Sequence, residues 1–260
     1  MIITIDQINL EIHFDSYPKR IISIVPSQTE LLYDLGLEGE IIGITKFCIH
    51  PDKWYRSKKR IGGTKDLHIE EIKSLQPDLV IANKEENTAD HVEAIRKFCP
   101  VWTSDISNLE EALAMIREIG RITNKAEAGY QLADKIAVSF KSIPVMRNPL
   151  PAVYLIWKDP YMTVGGDTFI HHMMQYCGLE NVFKKEKRYP LINLENLIEK
   201  SPQIILLSSE PYPFKEKHIN ELARQFPGTK IILVNGEMFS WYGSRLLESA
   251  GYFCNLMTQY

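Results

Sequence analysis

The sequence reads as an α/β protein of two similar lobes with parallel sheets, joined by a helical connector. Three observations carry that reading. The chain has 260 residues, above the ~100–200 typical of one domain. One pattern, helix then proline then apolar strand, occurs twice at a constant offset. Between the two copies runs a long stretch of helical period that matches neither.

The elements follow in order. Met1 to Phe14 alternates β-type residues around Asp6, Gln7 and Asn9, which predicts a hairpin. Ile21 to Val25 is a strand, and Ser27 with Glu30 reads as a capping box opening the next helix, Ser27 as N-cap and Glu30 at N3. The first repeat block, Ile69 to Ile81, aligns without a gap on Leu194 to Leu206, so that Glu70 and Glu195, like Pro77 and Pro202, lie 125 residues apart. In each copy apolar residues at helical spacing end at a proline, which cannot continue a helix, and a buried-type strand follows. A second block sets Glu93 to Phe98 against Glu221 to Phe226 at an offset of 128, and Gly36-Leu37-Glu38 is echoed by Gly178-Leu179-Glu180. Helix then strand, repeated, predicts parallel sheets. Leu109, Ala112, Leu113, Ile116 and Ile119, then Leu132, Ile136 and Phe140, keep three-to-four spacing. Residues 108–148 are therefore predicted as a connector dominated by one long helix, between an N-terminal lobe over 1–107 and a C-terminal lobe over 149–260.

Composition narrows the function. Hydrophobic residues make up 45% and charged residues 24%, values of an ordinary folded protein rather than a disordered chain. With 30 basic against 33 acidic residues and no long run of like charge, nothing marks a nucleic-acid or anionic-membrane partner. No apolar run approaches the ~18 residues of a membrane span. The expected partner is a small molecule or another protein. The first residues lack the basic and apolar regions of a secretory signal, so the protein is expected either to stay inside the cell or to have lost its signal. Cys48, Cys99, Cys177 and Cys254 are too scattered for a disulfide scaffold or a paired-cysteine zinc site.

Phosphate-binding glycine loops, a serine nucleophile elbow and a zinc-protease helix have no match in the sequence, while Gly62-Gly63 and Gly165-Gly166 read as tight turns. His171 and His172 are adjacent on a helix and point about 100° apart, a poor chelating pair. His50, in a loop after the second strand, is the better candidate to meet a ligand, though only a weak metal candidate. Aromatic residues gather where loops leave strands: Phe47, Trp54 and Tyr55; Trp157 and Tyr161; Tyr189; Phe239, Trp241 and Tyr242. In open α/β sheets ligands bind beyond the carboxyl ends of the strands, so these sets are expected to offer a flat, largely apolar surface in a cleft between lobes.

The segments Arg20 to Leu32, Gly43 to Cys48, Gln76 to Ala82, Cys177 to Phe183 and Phe239 to Arg245 resemble the helical-backbone class of substrate-binding proteins of ABC importers. The likeness covers nearly the whole chain and is greatest to the vitamin B12-binding branch, with the iron-siderophore branch related. It implies two Rossmann-like lobes bridged by a backbone helix. It implies ligand contacts from Phe47, Tyr189 and the segment Glu237, Met238, Phe239, Ser240 and Trp241, while Thr64 and Asn83 stand where the branch has two further cleft tryptophans. Trp157, Tyr161, Tyr242 and Arg245 complete the candidate site. The resemblance also implies a bridge between Cys177 and Cys254, Glu70 and Glu195 as contacts to a two-fold permease, and a periplasmic location, with a cytoplasmic setting left open.

The resulting expectation is a monomeric, non-catalytic receptor that holds a cobalt corrinoid and hands it to an ABC permease dimer. An iron-siderophore or haem receptor is the alternative, and Arg245 and Lys84 are the cations an anionic chelate would use. Rival readings are a metal-dependent enzyme and a cytoplasmic corrinoid carrier. On this reading alanine at Phe47 or Trp241 weakens cobalamin binding roughly thirtyfold in equilibrium titration.

Overall fold

Residues 1–260 are described by a computed structural model. Strands β1 (Ile2–Ile5) and β2 (Glu11–Phe14) pair antiparallel as the alternation predicts, Ile2 opposite Phe14. Asp6 closes their turn, one carboxylate oxygen accepting from the backbone N–H of Ile8 and of Leu10 at 3.1 and 2.8 Å. Then come β3 (Ile21–Ser23), α1 (Pro26–Asp34), β4 (Ile41–Ile44), α2 (Asp52–Ser57), β5 (Lys59–Arg60), β6 (Gly62–Gly63) and β7 (Asp66–Leu67). The first repeat block forms α3 (Ile69–Ser74) and β8 (Leu79–Asn83), followed by α4 (Ala89–Arg96) and β9 (Val101–Ser104). Five of these strands make a parallel sheet in the order β5-β4-β3-β8-β9.

After α5 (Leu109–Ile122) and α6 (Ala126–Lys141) the second half begins with β10 (Leu150–Leu155), β11 (Tyr161–Met162), α7 (Phe169–Tyr176), β12 (Leu179–Asn181) and β13 (Leu191–Ile192). It continues with α8 (Leu194–Lys200), β14 (Ile204–Ser208), α9 (Glu216–Ala223), β15 (Lys230–Val234), α10 (Glu237–Ser240) and α11 (Leu246–Met257). Its parallel sheet runs β12-β10-β14-β15. Val153, Leu155, Ile205 and Leu207 supply the core of this half, against Leu197, Leu222 and Phe226.

The repeat is therefore topological as well as textual. β3, β4, β8 and β9 stand in the order in which β10, β12, β14 and β15 stand in the other sheet, with β5 an added edge strand. Even the backbone strain recurs, since Gln76 and Ser201, each just before the repeat's proline, take left-handed φ values of 47° and 46°.

Three expectations are corrected. The single connector helix is two helices, broken at Asn124, which takes φ 61°. The chain divides into two compact units, Met1–Ile106 with Glu110–Ala137 and Tyr242–Arg245, and Ser107–Leu109 with Val138–Trp241 and Leu246–Tyr260. Most of the predicted connector thus belongs to the first unit, because α5 is tied to the hairpin. Glu118 accepts from the Thr4 hydroxyl, and Arg121 donates to the Ile3 carbonyl at 2.7 Å. The capping box is also absent. Val25 is the N-cap of α1, Pro26 follows in the first turn where its missing N–H costs nothing, and Ser27 is buried.

The α5–α6 turn depends on two glycines. A Cβ on Gly120 would sit 2.9 Å from the Lys125 carbonyl oxygen and 3.0 Å from the Gly129 Cα, backbone atoms that cannot step aside. Gly120→Ala is expected to lower stability by about 1–3 kcal/mol, read as a lower urea midpoint with unchanged slope.

Candidate functional site

The carboxyl ends of the first unit's strands are held by a lattice of buried side chains. Asn83 ends β8 and donates from Nδ2 to the Ser104 carbonyl and hydroxyl at 3.2 and 3.0 Å, while its Oδ1 accepts from Glu85 N and Glu86 N at 2.8 and 3.0 Å. Asn87 donates to the carbonyls of Ile24 and Thr64 at 3.2 and 3.0 Å. Gln28 reaches the Ser104 hydroxyl at 2.5 Å, and Thr29 reaches Ser23 at 2.7 Å. Thr29 and Thr45 both lie 3.1 Å from the Cys48 sulfur, and burial pushes that thiol's pKa up in spite of them. The loop between Thr45 and Cys48 is thereby fixed, and it presents Phe47 to solvent with 51% of the residue exposed.

Phe47 keeps its pose because residue 63 is glycine. A Cβ there would lie 3.1 Å from the Phe47 ring and 3.2 Å from Lys46 Cε, whereas Gly62, at φ 100°, is demanded by the turn itself. His50 and Thr64 are half-buried beside this loop. Asn83, in contrast, is corrected from ligand contact to scaffold: it is 2% exposed and all its polar atoms serve the backbone.

Arg245 is corrected in the same way. Its guanidinium grips Glu30 with two nitrogens, at 3.0 and 2.5 Å, and neighbouring Ser244 donates to Asp34. Burial raises the Glu30 pKa above the ordinary glutamate range, although Arg245 and, more weakly, His50 pull the other way. Glu30 is thus the anchor for the Tyr242–Arg245 segment rather than a helix cap. Gly243 allows the approach, since a Cβ on it would sit 2.5 Å from the Ser27 carbonyl oxygen.

In the second unit the strand ends present Trp157, 41% exposed, with Tyr161 and Tyr189 half-buried. Tyr161 starts the short strand paired with β13, and Arg188 lies with its guanidinium 5.8 Å from the Tyr189 ring centre. Asn181 organises this edge, donating to the Val164 carbonyl at 2.8 Å and accepting from Phe183 N at 2.9 Å. The segment after β15 departs from expectation. Phe239 is fully buried, packed between Tyr154 and Phe253 at ring separations of 5.0 and 4.9 Å, and is a core residue. Met238 is buried beside Ser249. Trp241 and Tyr242 are each 7% exposed, so neither offers an open stacking face, and the Trp241 indole N–H donates to Glu210 at 3.1 Å. Glu237 and Ser240 remain half-buried at the surface of α10. The sequence patterning of loop aromatics could not separate these cases, because an aromatic that braces a loop and one that meets a ligand look alike in a string.

The predicted bridge is not formed. Cys177 and Cys254 are both free thiols, and Cys177 is driven to a raised pKa by burial and then by the neighbouring Cys254. Cys177 occupies the C-cap of α7, where its carbonyl accepts the Tyr260 hydroxyl at 2.8 Å. His171 and His172 serve structure: His172 Nδ1 accepts from Leu109 N at 3.0 Å. No cluster of three or more histidine, cysteine or carboxylate side chains converges in a metal-binding arrangement, and no helix is long and apolar enough to cross a membrane. Glu70 and Glu195 are exposed in the first turns of α3 and α8. Next to Glu70, Glu71 is paired with Lys59 at 2.6 Å, which holds its carboxyl below the usual range.

The two units carry matching parallel sheets, and each ends in braced loops that expose an aromatic. Residues 21–228 match the periplasmic binding protein family, and the chain belongs to it. It is 28% identical over 195 residues to the vitamin B12-binding protein of Vibrio campbellii, covering 73% of this chain and 70% of the relative. Its fold is similar to that of the periplasmic vitamin B12 binding protein of Vibrio cholerae, with a TM-score of 0.77, 21% identity and coverage of 94% and 98% of the two chains. It is equally similar to the periplasmic haem binding protein of that species, with a TM-score of 0.78, 19% identity and coverage of 92% and 98%.

Two outcomes follow. Gly63→Val should displace Phe47 without unfolding the chain, seen as altered ring resonances at an unchanged urea midpoint. Arg245→Met strands Glu30 in a largely buried position and is expected to cost about 3 kcal/mol in urea unfolding.

Proposed function

We propose that this chain is the substrate-binding component of an ABC importer and that its cargo is a cobalt corrinoid. The observation that carries this is the exposure of Phe47 and Trp157, each just past the carboxyl end of a parallel strand, on loops whose backbone groups are hydrogen-bonded. Rigid exposed aromatics suit a broad, mostly apolar chelate. The names of the sequence relatives support the same ligand.

A siderophore or haem is the second reading, supported by the structural neighbours. Against it stands the fate of the two cations an anionic chelate would need: Arg245 is bound to Glu30 and Lys84 to Asp105 at 2.5 Å. The protein binds and releases its cargo unchanged, acts outside the cytoplasmic membrane and works as a monomer. Glu70 and Glu195, exposed at equivalent positions of the repeat, meet a basic pocket in each half of a two-fold permease.

Titration with cyanocobalamin, haemin and a ferric hydroxamate tests the cargo. Cyanocobalamin should bind most tightly, and Phe47→Ala and Trp157→Ala should each weaken it roughly thirtyfold. Preference for either iron chelate would overturn the corrinoid reading. Replacing both Glu70 and Glu195 by Lys should leave cyanocobalamin affinity intact and abolish uptake; undiminished uptake would remove them from docking.

A further inference from the structure

The loop Ser208 to Phe214, Ser-Ser-Glu-Pro-Tyr-Pro-Phe, leaves β14, and β14 lies between β10 and β15 in the sheet. The loop touches the segments that follow both neighbours. Toward β15, Glu210 Oε1 accepts from the Ser240 hydroxyl at 2.8 Å and from the Trp241 indole N–H at 3.1 Å. Ser209 accepts from Gly236 N at 2.9 Å. Contact is close enough to require glycine at 236, where a Cβ would sit 2.5 Å from Glu210 Cγ and 2.5 Å from Ser208 Oγ. Toward β10, Tyr212 N donates to the Ile156 carbonyl at 3.3 Å, and the Tyr212 ring meets Trp157 edge-on with centroids 5.7 Å apart. Behind it, His218 Nδ1 accepts from Lys215 N at 2.8 Å, so the proton resides on Nε2, 3.3 Å from the Tyr212 hydroxyl.

We propose that Glu210 is the positioning residue of the second unit's ligand surface, fixing α10 through Trp241 and Ser240 so that Glu237 and Ser240 face the cargo in one geometry. The inference rests on the receptor reading above. A carboxylate suits the task because one ionised oxygen takes two donors, and hydrogen bonds to a charged acceptor are about twice as strong as neutral ones. Tyr212 does the equivalent for Trp157 by ring contact. One loop thus sets both edges of the surface, and Glu210 is the member that receives two donors at once, the Trp241 indole N–H and the Ser240 hydroxyl, which also lies 3.0 Å from the Gly236 carbonyl.

The test uses the full chain, cyanocobalamin and the indole N–H resonance of Trp241, assigned with Trp241→Phe. Glu210→Ala should weaken cyanocobalamin about tenfold and shift that resonance upfield. Glu210→Gln keeps an acceptor oxygen and should stay within about threefold of the parent, with the resonance little moved. In the Glu210→Ala background, Trp241→Phe should add little, since the bond is already gone. The resonance needs no ligand: a parent that ignored cyanocobalamin would sink the corrinoid reading, and Glu210 would still be judged by the indole. An unmoved indole in Glu210→Ala, or equal losses of affinity in the Ala and Gln variants, would overturn the proposal.

Discussion

Everything this receptor presents to a ligand depends on how the backbone groups at the carboxyl ends of its parallel strands are satisfied. Where a strand leaves the sheet, its last amides and carbonyls lose their ladder partners and must find others or pay a desolvation cost. Both units solve this with short fixed side chains. Asn83 and Asn181 each accept, through Oδ1, from a backbone N–H two residues on, while Nδ2 reaches a carbonyl across the edge. Thr163 donates to the Tyr154 carbonyl at 2.7 Å, and Ser208 to that of Glu210 at 2.6 Å. Loops braced in this way lose little freedom on binding, so exposed aromatics on them contribute contact at small entropic cost.

The same constraint explains why so much of the expected site is scaffold. A loop that must stay rigid spends its larger side chains on bracing. Phe239 fills the space under β10, Trp241 is tied to Glu210, and Arg245 neutralises Glu30. Among the expected contacts, Phe47 and Trp157 combine a braced backbone with an open ring. His50 and Thr64 in the first unit, and Glu237 and Ser240 in the second, are half-buried polar groups near these loops.

The duplication was legible because its markers are backbone constraints. Pro77 and Pro202 each follow a helix they cannot continue, and the residue before each takes a left-handed φ in both units. The apolar runs of β8 and β14 are short and follow a proline that ends a helix, the signature of buried strands. Hidden from the sequence was whatever depends on contact between distant segments. Nothing in the local pattern at Glu30 says that Arg245 will reach it, and Ser27 with Glu30 mimics a capping box; only Pro26, a first-turn residue, marks an earlier helix start. The break at Asn124 was similarly masked by apolar spacing that stays in phase on either side, although two close-packing glycines, Gly120 and Gly129, flank it. Glu210 carries no such signal, because an acid followed by Pro-Tyr-Pro looks like an ordinary turn.

If the braced loops beyond the strands' carboxyl ends are the ligand surface, they must be the segments that a ligand protects. Amide hydrogen exchange of the intact chain, with and without saturating cyanocobalamin, tests it most directly. Added protection is expected in residues 45–50, 156–161, 208–214 and 235–241, with α3 and α8 unchanged. Protection confined to the opposite ends of the strands, or centred on α3 and α8, would contradict it.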